Sequence, residues 1–482
     1  MASDAPQYRP NNDHGAIEAE RDGLILQEGG LPRDVEAKAD RRNLIKLGSA
    51  FFIFGLFNNV LYVIILSAAL DLVPPSTPKG IIAFCNITPS LLAKLGWPYI
   101  LKGRIRYAKR LIGCCLLSVV GMIVVAAFEM LPMRLLGIGL ASFSCGLGEL
   151  TFLQLSTTYH PPSVGGRSVG YFASGTGAAG LVGAFLWWEI RGFGVRTGVG
   201  LSAILPFTIP LTYFLLLPRP ASFSSAHLPS AYDDESIGAP LTAPYTPLPV
   251  DEDDDASVPD SAELHKSVGP LSLSDKWSLA KPLLLRYMFP LFCVYLFEYT
   301  INQGIAPTLL YPVPSPESYP LLSHIIHSVR DYYPLWQLVY QLTVFLSRSS
   351  ISLGLPPLPY RLLYSPAILQ ACILLALAYE SAAGFFSDAS EGSSITLIFL
   401  LISVEGICGG LAYVNVFYRV NQEPLNPNAE PERAKQEKEF KIGSIGLSDS
   451  LGILSASLLA VPTEIELCKA QVSRGKTLCR GL

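Results

Sequence analysis

The chain has 482 residues, of which 50% are hydrophobic and 15% charged, with a formal net charge of -4 and a mean hydropathy of +0.38. Soluble domains carry about 25% charged residues, so the composition excludes an ordinary soluble globule and points to lipid as solvent. The small acidic balance argues against nucleic acid as a partner.

In chain order, residues 1–40 form a polar tail of mixed charge, read as disordered and cytosolic, with no cleavable signal peptide. The run from Leu47 to Leu70 has no charged residue. It exceeds the roughly 20 residues that cross a bilayer as a helix. Further apolar runs bring the expected spans to eleven, centred on 47–70, 80–101, 111–128, 135–159, 168–188, 197–217, 283–310, 332–347, 362–380, 394–418 and 442–463. The second is interrupted by Pro89 and Lys94, and the eighth is short. Unalternating runs of this length exclude a strand barrel, so helices must satisfy the backbone. The expected architecture is an all-α polytopic membrane protein. Residues 41–217 form a six-helix half, 218–280 a disordered acidic linker, 281–466 a five-helix half and 467–482 a tail. A short amphipathic luminal helix is expected over 316–330.

Lys and Arg in short loops set orientation. Arg41, Arg42 and Lys46 precede the first span. Lys102, Arg104, Arg106, Lys109 and Arg110 follow the second, and Arg419, Arg433, Lys435, Lys438 and Lys441 follow the tenth. A cytosolic N-terminus and a cytosolic linker follow. Eleven passes then place the C-terminus in the lumen, whereas the basic tail (Lys469, Arg474, Lys476, Arg480) favours the cytosol. The two signals conflict. The ending Cys479-Arg480-Gly481-Leu482 has the length of a prenylation box, which requires a cytosolic tail, although Arg480 and Gly481 depart from the usual aliphatic pair.

Several short motifs have a bland and a sharp reading. Gly175, Gly177 and Gly180 spell GxGxxG, but inside an uncharged apolar run and not after a strand; close helix packing is the favoured reading over dinucleotide binding. His324 and His327 lack a third metal ligand. Asn86-Ile87-Thr88 is the one N-glycosylation sequon, set in or near the second span, and Tyr245-Thr246-Pro247-Leu248 fits a sorting signal in the linker. The nine cysteines contain no CxxC. Seven (Cys85, Cys114, Cys115, Cys145, Cys293, Cys372, Cys408) lie in apolar stretches as small packing residues, so neither a disulfide framework nor a metal site is expected. No GxSxG, HExxH or Walker loop is present. The expectation is a protein that is not an enzyme and carries no cofactor.

The candidate functional residues are the polar groups inside the spans. They are Asn58 and Asn59 in the first, Glu149 and Gln154 in the fourth, Glu298, Asn302 and Gln303 in the seventh, Glu405 and Asn415 in the tenth, and Asp449 in the eleventh. An ionisable group at mid-bilayer costs at least about 2.5 kcal/mol and so faces a cavity or a partner. Spans one, four, seven and ten are the first helices of successive three-helix units, which line the central cavity in major-facilitator folds. The alternative is that these groups merely bond neighbouring helices. Glu298 and Asn302 share a helix face at i, i+4, and Arg348 at the end of the eighth span is a possible cation for Glu298.

The blocks FFIFGLFNNVLYVIILSAALDLV (51–73), GYFASGTGAAGLVGA (170–184), FEYTINQG (297–304), VYQLTVFLSRSSIS (339–352), EGICGGLAYVNVFYR (405–419) and SDSLGILSASLLAVP (448–462) resemble the battenin family, the Batten disease protein and its fungal relatives. The resemblance runs from first span to last and excludes 1–40 and 218–280. It implies a major-facilitator-like bundle in the vacuolar or lysosomal membrane. Such a protein is linked to luminal pH homeostasis and to movement of basic amino acids or glycerophosphodiesters. Asn58, Asn59, Glu298, Asn302, Gln303, Arg348 and Glu405 would form its functional core. The rival expectation is a non-transporting scaffold that regulates the vacuolar proton pump or vesicle traffic. The partners implied are the lipid bilayer, a small solute and protons.

Overall fold

The computed structural model describes residues 33–68, 79–100, 105–224, 271–317, 320–386, 391–427 and 429–481. The chain divides into two units, Met1–Ile45 and Lys46–Leu482, and apart from the start of the first helix everything below concerns the second. The sorting-signal match at 245–248 and the acidic run 251–255 fall outside the described residues.

The spans are α1 Arg33–Ser67, α2 Lys79–Ile100, α3 Tyr107–Ala127, α4 Leu131–Ser156 and α5 Pro162–Ile190, with α6 in two pieces, Val195–Ser202 and Thr208–Leu215. The second half holds α7 Leu273–Thr308, α8 Tyr332–Arg348, α9 Ser365–Ala382, α10 Glu391–Asn421 and α11 Pro431–Ser473. Among the described residues nine helices are long and apolar enough to cross a membrane. The two that fall short are α2 and α8, the pair in which the sequence signal is weakest. Both are nonetheless helical, α2 with Pro89 and Pro98 inside it and α8 only 17 residues long.

Four boundaries move from expectation, one of them the start of the C-terminal tail, since α11 runs on to Ser473. The linker's last residues are not unstructured: α7 starts at Leu273, where the Ser272 hydroxyl and the Asp275 carboxylate form a reciprocal capping box. α1 likewise begins at Arg33, inside the expected tail. The amphipathic segment at 316–330 shrinks to Pro320–Ile325, followed by a single 3-10 turn. α7 is not a uniform rod. It passes through π turns at Leu284–Met288, just after Pro282 removes a donor, and at Ile301–Ile305, just before Pro307.

The halves meet along α2 with α11 and α5 with α8, while α7 packs on α11 and α8 on α10. Small residues permit these approaches. A Cβ at Gly175 would strike the Phe52 carbonyl on α1, one at Gly177 would stand 2.9 Å from the Phe345 Cα on α8, and one at Gly180 would strike the Gln341 side chain. The GxGxxG run is therefore a double-sided packing strip inside a continuous helix, not the strand-to-helix turn a dinucleotide requires. Asn86 is 1% exposed within α2, a position without the loop exposure that glycosylation requires.

The cysteine expectation needs correction. Seven cysteines are free, as read from their apolar settings, but Cys468 and Cys479 are joined in a disulfide. A pair at this short spacing, split between a helix end and a tail, carries no CxxC-like signature.

Candidate functional site

Two groups of buried polar residues bridge the two halves, one around Lys94 and one around Arg348. Lys94 on α2 lies 2.7 Å from Glu149 on α4 and 3.0 Å from Asp449 on α11. Lys94 is 3% exposed, so this is a desolvated cation shared by two carboxylates, one from each half. Burying such a set is tolerable only when the remaining lone pairs are satisfied. Here the Tyr413 hydroxyl on α10 donates to Glu149 at 2.7 Å, and both the amide and the hydroxyl of Ser450 donate to Asp449.

Beside this triad stands Arg348. It donates to the Thr176 hydroxyl on α5 at 2.7 Å and to the Tyr295 hydroxyl on α7 at 3.0 Å. Its guanidinium lies 4.4 Å from the Tyr413 ring centre, a cation–π contact that links it to the triad. The sequence allowed an Arg348–Glu298 pair; among the described residues no ion pair joins them, and hydroxyls and an aromatic face hold the arginine instead. Its Nε is buried with no protein partner.

Near Arg348 are two carboxyl groups that, among the described residues, form no ion pair. Glu298 is 1% exposed and Glu405 fully buried. The Tyr340 hydroxyl on α8 donates to Glu298. Asn302 donates to the Glu298 carbonyl at 3.0 Å and to the Glu405 carboxyl at 2.9 Å, and Gln337 donates to Asn302 at 2.9 Å. Gln370 on α9 donates to the Glu405 carbonyl. One oxygen of each carboxyl, Oε2 in both, has no partner. The cradle depends on a glycine, since a Cβ at Gly409 on α10 would strike the Glu298 carboxyl. Buried polar atoms are normally bonded, so the unpartnered oxygens of Glu298, Glu405 and Gln370, with Arg348 Nε, call for an explanation such as a water or a ligand.

The remaining sequence candidates divide. Asn58 donates to the Cys145 carbonyl on α4 at 3.0 Å, and Asn59 to the Gly55 carbonyl of its own helix, so the pair lines the α1–α4 contact. Gln303 is half-buried beside Asn302. Gln154 belongs to a separate group toward the linker end. It accepts from Arg110 and donates to the Glu439 carbonyl, whose side chain accepts from Tyr107 at 2.7 Å. Asn415 is not at the centre. It accepts from the Leu358 amide and, with Arg419 on the carbonyls of Pro357 and Leu358, holds the α8–α9 loop.

Sequence reading passed over Lys94, Thr176, Tyr295, Tyr340, Gln337, Gln370 and Tyr413. Lys94 carried a usable signal: an ammonium inside an apolar span is a functional flag by the same rule that singled out the carboxylates. The tyrosines carried none, because an aromatic residue in a span reads as core filler until a partner for its hydroxyl is seen. A cavity of about 570 Å³ lies between α2, α3 and α4, lined by Phe84, Pro89, Leu117, Leu136, Leu140 and Phe143. It is apolar and separate from the polar centre.

The profile of the CLN3 protein family matches residues 49–470. The protein BTN1 of Mycosarcoma maydis is 44% identical over 485 residues, covering 90% of this chain and 88% of that one. The protein BTN1 of Cryptococcus neoformans var. neoformans serotype D (strain JEC21) is 43% identical, covering 96% and 100%. The protein btn1 of Schizosaccharomyces pombe is 38% identical, covering 90% and 97%. Among solved structures, the proton:xylose symporter XylE superposes with a TM-score of 0.54 at 11% identity, covering 91% of this chain and 93% of that one. The human organic anion transporter MFSD10 gives 0.52 at 12%, covering 91% and 96%. These two superpositions establish the major-facilitator fold.

Proposed function

The chain belongs to the CLN3 protein family, and from that premise, together with its polar centre, we propose that it transports a small solute across the vacuolar or lysosomal membrane with its N-terminus in the cytosol. The observation that carries this is the set of orphaned buried atoms in the second half, Glu298 Oε2, Glu405 Oε2 and Arg348 Nε, with Arg348 reaching across to Thr176 of the first half. Two carboxyl oxygens offer acceptors to an ammonium or guanidinium, and the arginine offers a donor to a carboxylate or phosphodiester. A solute that carries one or both charges, a basic amino acid or a glycerophosphodiester, matches them.

Glu298 and Glu405 are also the groups suited to carry a proton. Glu149 and Asp449 are committed to Lys94, whereas among the described residues these two are in no ion pair. Lys94 can stay with Glu149 in its own half while Asp449 moves away with the other, so the halves can part at the centre without stranding the ammonium. The scaffold reading draws support from the Lys94 triad, whose groups are fully paired inside a closed bundle.

Flux separates the two. Purified protein in liposomes, acidic inside, is expected to move labelled arginine, lysine or a glycerophosphodiester faster than protein-free liposomes, and more slowly when the pH difference is dissipated. Equal rates with and without protein for every solute of both classes would favour the scaffold.

A further inference from the structure

The C-terminal tail is built onto the end of the bundle. α11 runs to Ser473, and the chain then turns at Gly475, whose φ of +87° suits glycine. A short 3-10 turn at Leu478–Gly481 brings Cys479 back to Cys468, with the Cα atoms 5.8 Å apart. Leu467, Leu478 and Cys479 pack on the apolar cluster that holds Leu309, Tyr311, Trp336 and Ile398. Gln471, 6% exposed, donates to the Thr308 carbonyl at the end of α7 and to the Ser381 hydroxyl at the end of α9. Arg474 donates to the carbonyls of Ala383 and Ser381. The tail thus seals the ends of α7 and α9, at the face opposite to the linker, because α7 and α11 each run from the linker face to this one.

We propose that the Cys468–Cys479 disulfide is the permanent clasp of a luminal cap on the second half, and that Cys479 is therefore not a lipid-attachment cysteine. Eleven passes from a cytosolic N-terminus place this face in the lumen, so the sidedness rests on the orientation proposed above, while the pairing stands on the packing alone. A disulfide persists on the luminal side and not in the reducing cytosol. In its formation two thiols lose two protons and two electrons; by thiol–disulfide exchange a protein disulfide of the secretory lumen accepts them and becomes a dithiol. Two of the four basic tail residues, which favour the cytosol by the loop rule, are engaged locally: Arg474 bonds the α9 end and Lys469 pairs with Glu466.

Thiol counting tests both parts. The full-length protein, denatured in detergent without reductant and treated with a polyethylene-glycol maleimide, is expected to gain seven tags, the number of free cysteines. After reduction it gains nine, the total in the chain. Trypsin without reductant should yield residues 442–469 linked to 477–480. Cys468→Ser should give eight tags in either condition. Intact organelles exposed to a membrane-impermeant reductant before denaturation should still give seven. Nine tags without reductant, or a 477–479 peptide carrying an isoprenoid on Cys479, would overturn the clasp. Seven tags rising to nine in the intact organelles would leave the clasp and overturn its luminal side.

Discussion

Lys94→Met is expected to leave little folded protein. The substitution keeps the length of the side chain and removes the one ammonium between Glu149 and Asp449, which stand 2.7 and 3.0 Å from it. Both carboxylates then remain buried and repel each other across the contact of the halves. Breaking a buried ion set by removing one partner costs about 3–5 kcal/mol, a large share of the roughly 5–15 kcal/mol by which folded proteins are stable. The measurement is the yield of monodisperse protein on size exclusion and its melting temperature in detergent. The triple change Lys94→Met, Glu149→Gln, Asp449→Asn removes every charge of the set and should recover most of the yield, since a neutral buried cluster has no ion to strand. A single variant that is as abundant and as stable as the parent would show that the triad does not hold the halves together.

Glu298→Gln is expected to fold normally and to lose the response of transport to a pH gradient. Glutamine keeps the shape and can still accept from the Tyr340 hydroxyl. Arg348 does not lose a partner, because Thr176, Tyr295 and the Tyr413 ring hold it. The folding cost that would follow from a broken Arg–Glu pair is therefore absent, and the variant differs from the parent only in having no proton to exchange. Solute flux at equal pH on both sides should persist, whereas acceleration by a gradient should vanish. If the gradient still accelerates flux, the exchanging carboxyl is Glu405, which shares Asn302 with Glu298, and Glu405→Gln becomes the informative variant.

The architecture was legible because lipid makes a coarse demand, long apolar runs with every backbone group bonded inside the helix. It was least legible at α2 and α8, where a lysine or a short run obscures the pattern although tertiary contacts hold the helix. Those two helices are also where the centre was misjudged. Counting polar residues on the first, fourth, seventh and tenth spans found Glu149, Glu298, Asn302 and Glu405. It missed Lys94 on α2, which sits where α2 meets α4 and α11, and the Tyr340 and Gln337 partners on α8, which face α7 within the second half. Asn415 shows the opposite failure. It is a polar residue inside an apolar span like the others yet bonds a loop amide, a distinction that depends on how α10 turns relative to its neighbours. The Cys468–Cys479 pair was invisible for a similar reason, as nothing in the spacing shows that the tail folds back.

The decisive measurement is the distance between spin labels placed at the linker ends of the two halves, at exposed Ser163 in the first turn of α5 and exposed Leu425 after α10, with the seven free cysteines replaced. In this structure those ends are joined by Asn421 donating to the Ser156 hydroxyl at 2.9 Å and Lys276 donating to the Pro98 carbonyl at 2.8 Å. A transporter that exposes Glu298, Glu405 and Arg348 alternately to its two faces should give two distance populations, a short one with these bonds made and a longer one with them broken. Their ratio should shift with pH and with solute, and in Glu298→Gln it should shift with solute alone. One narrow population, unmoved by pH or by any solute of the two classes, would contradict a transport role for the polar centre.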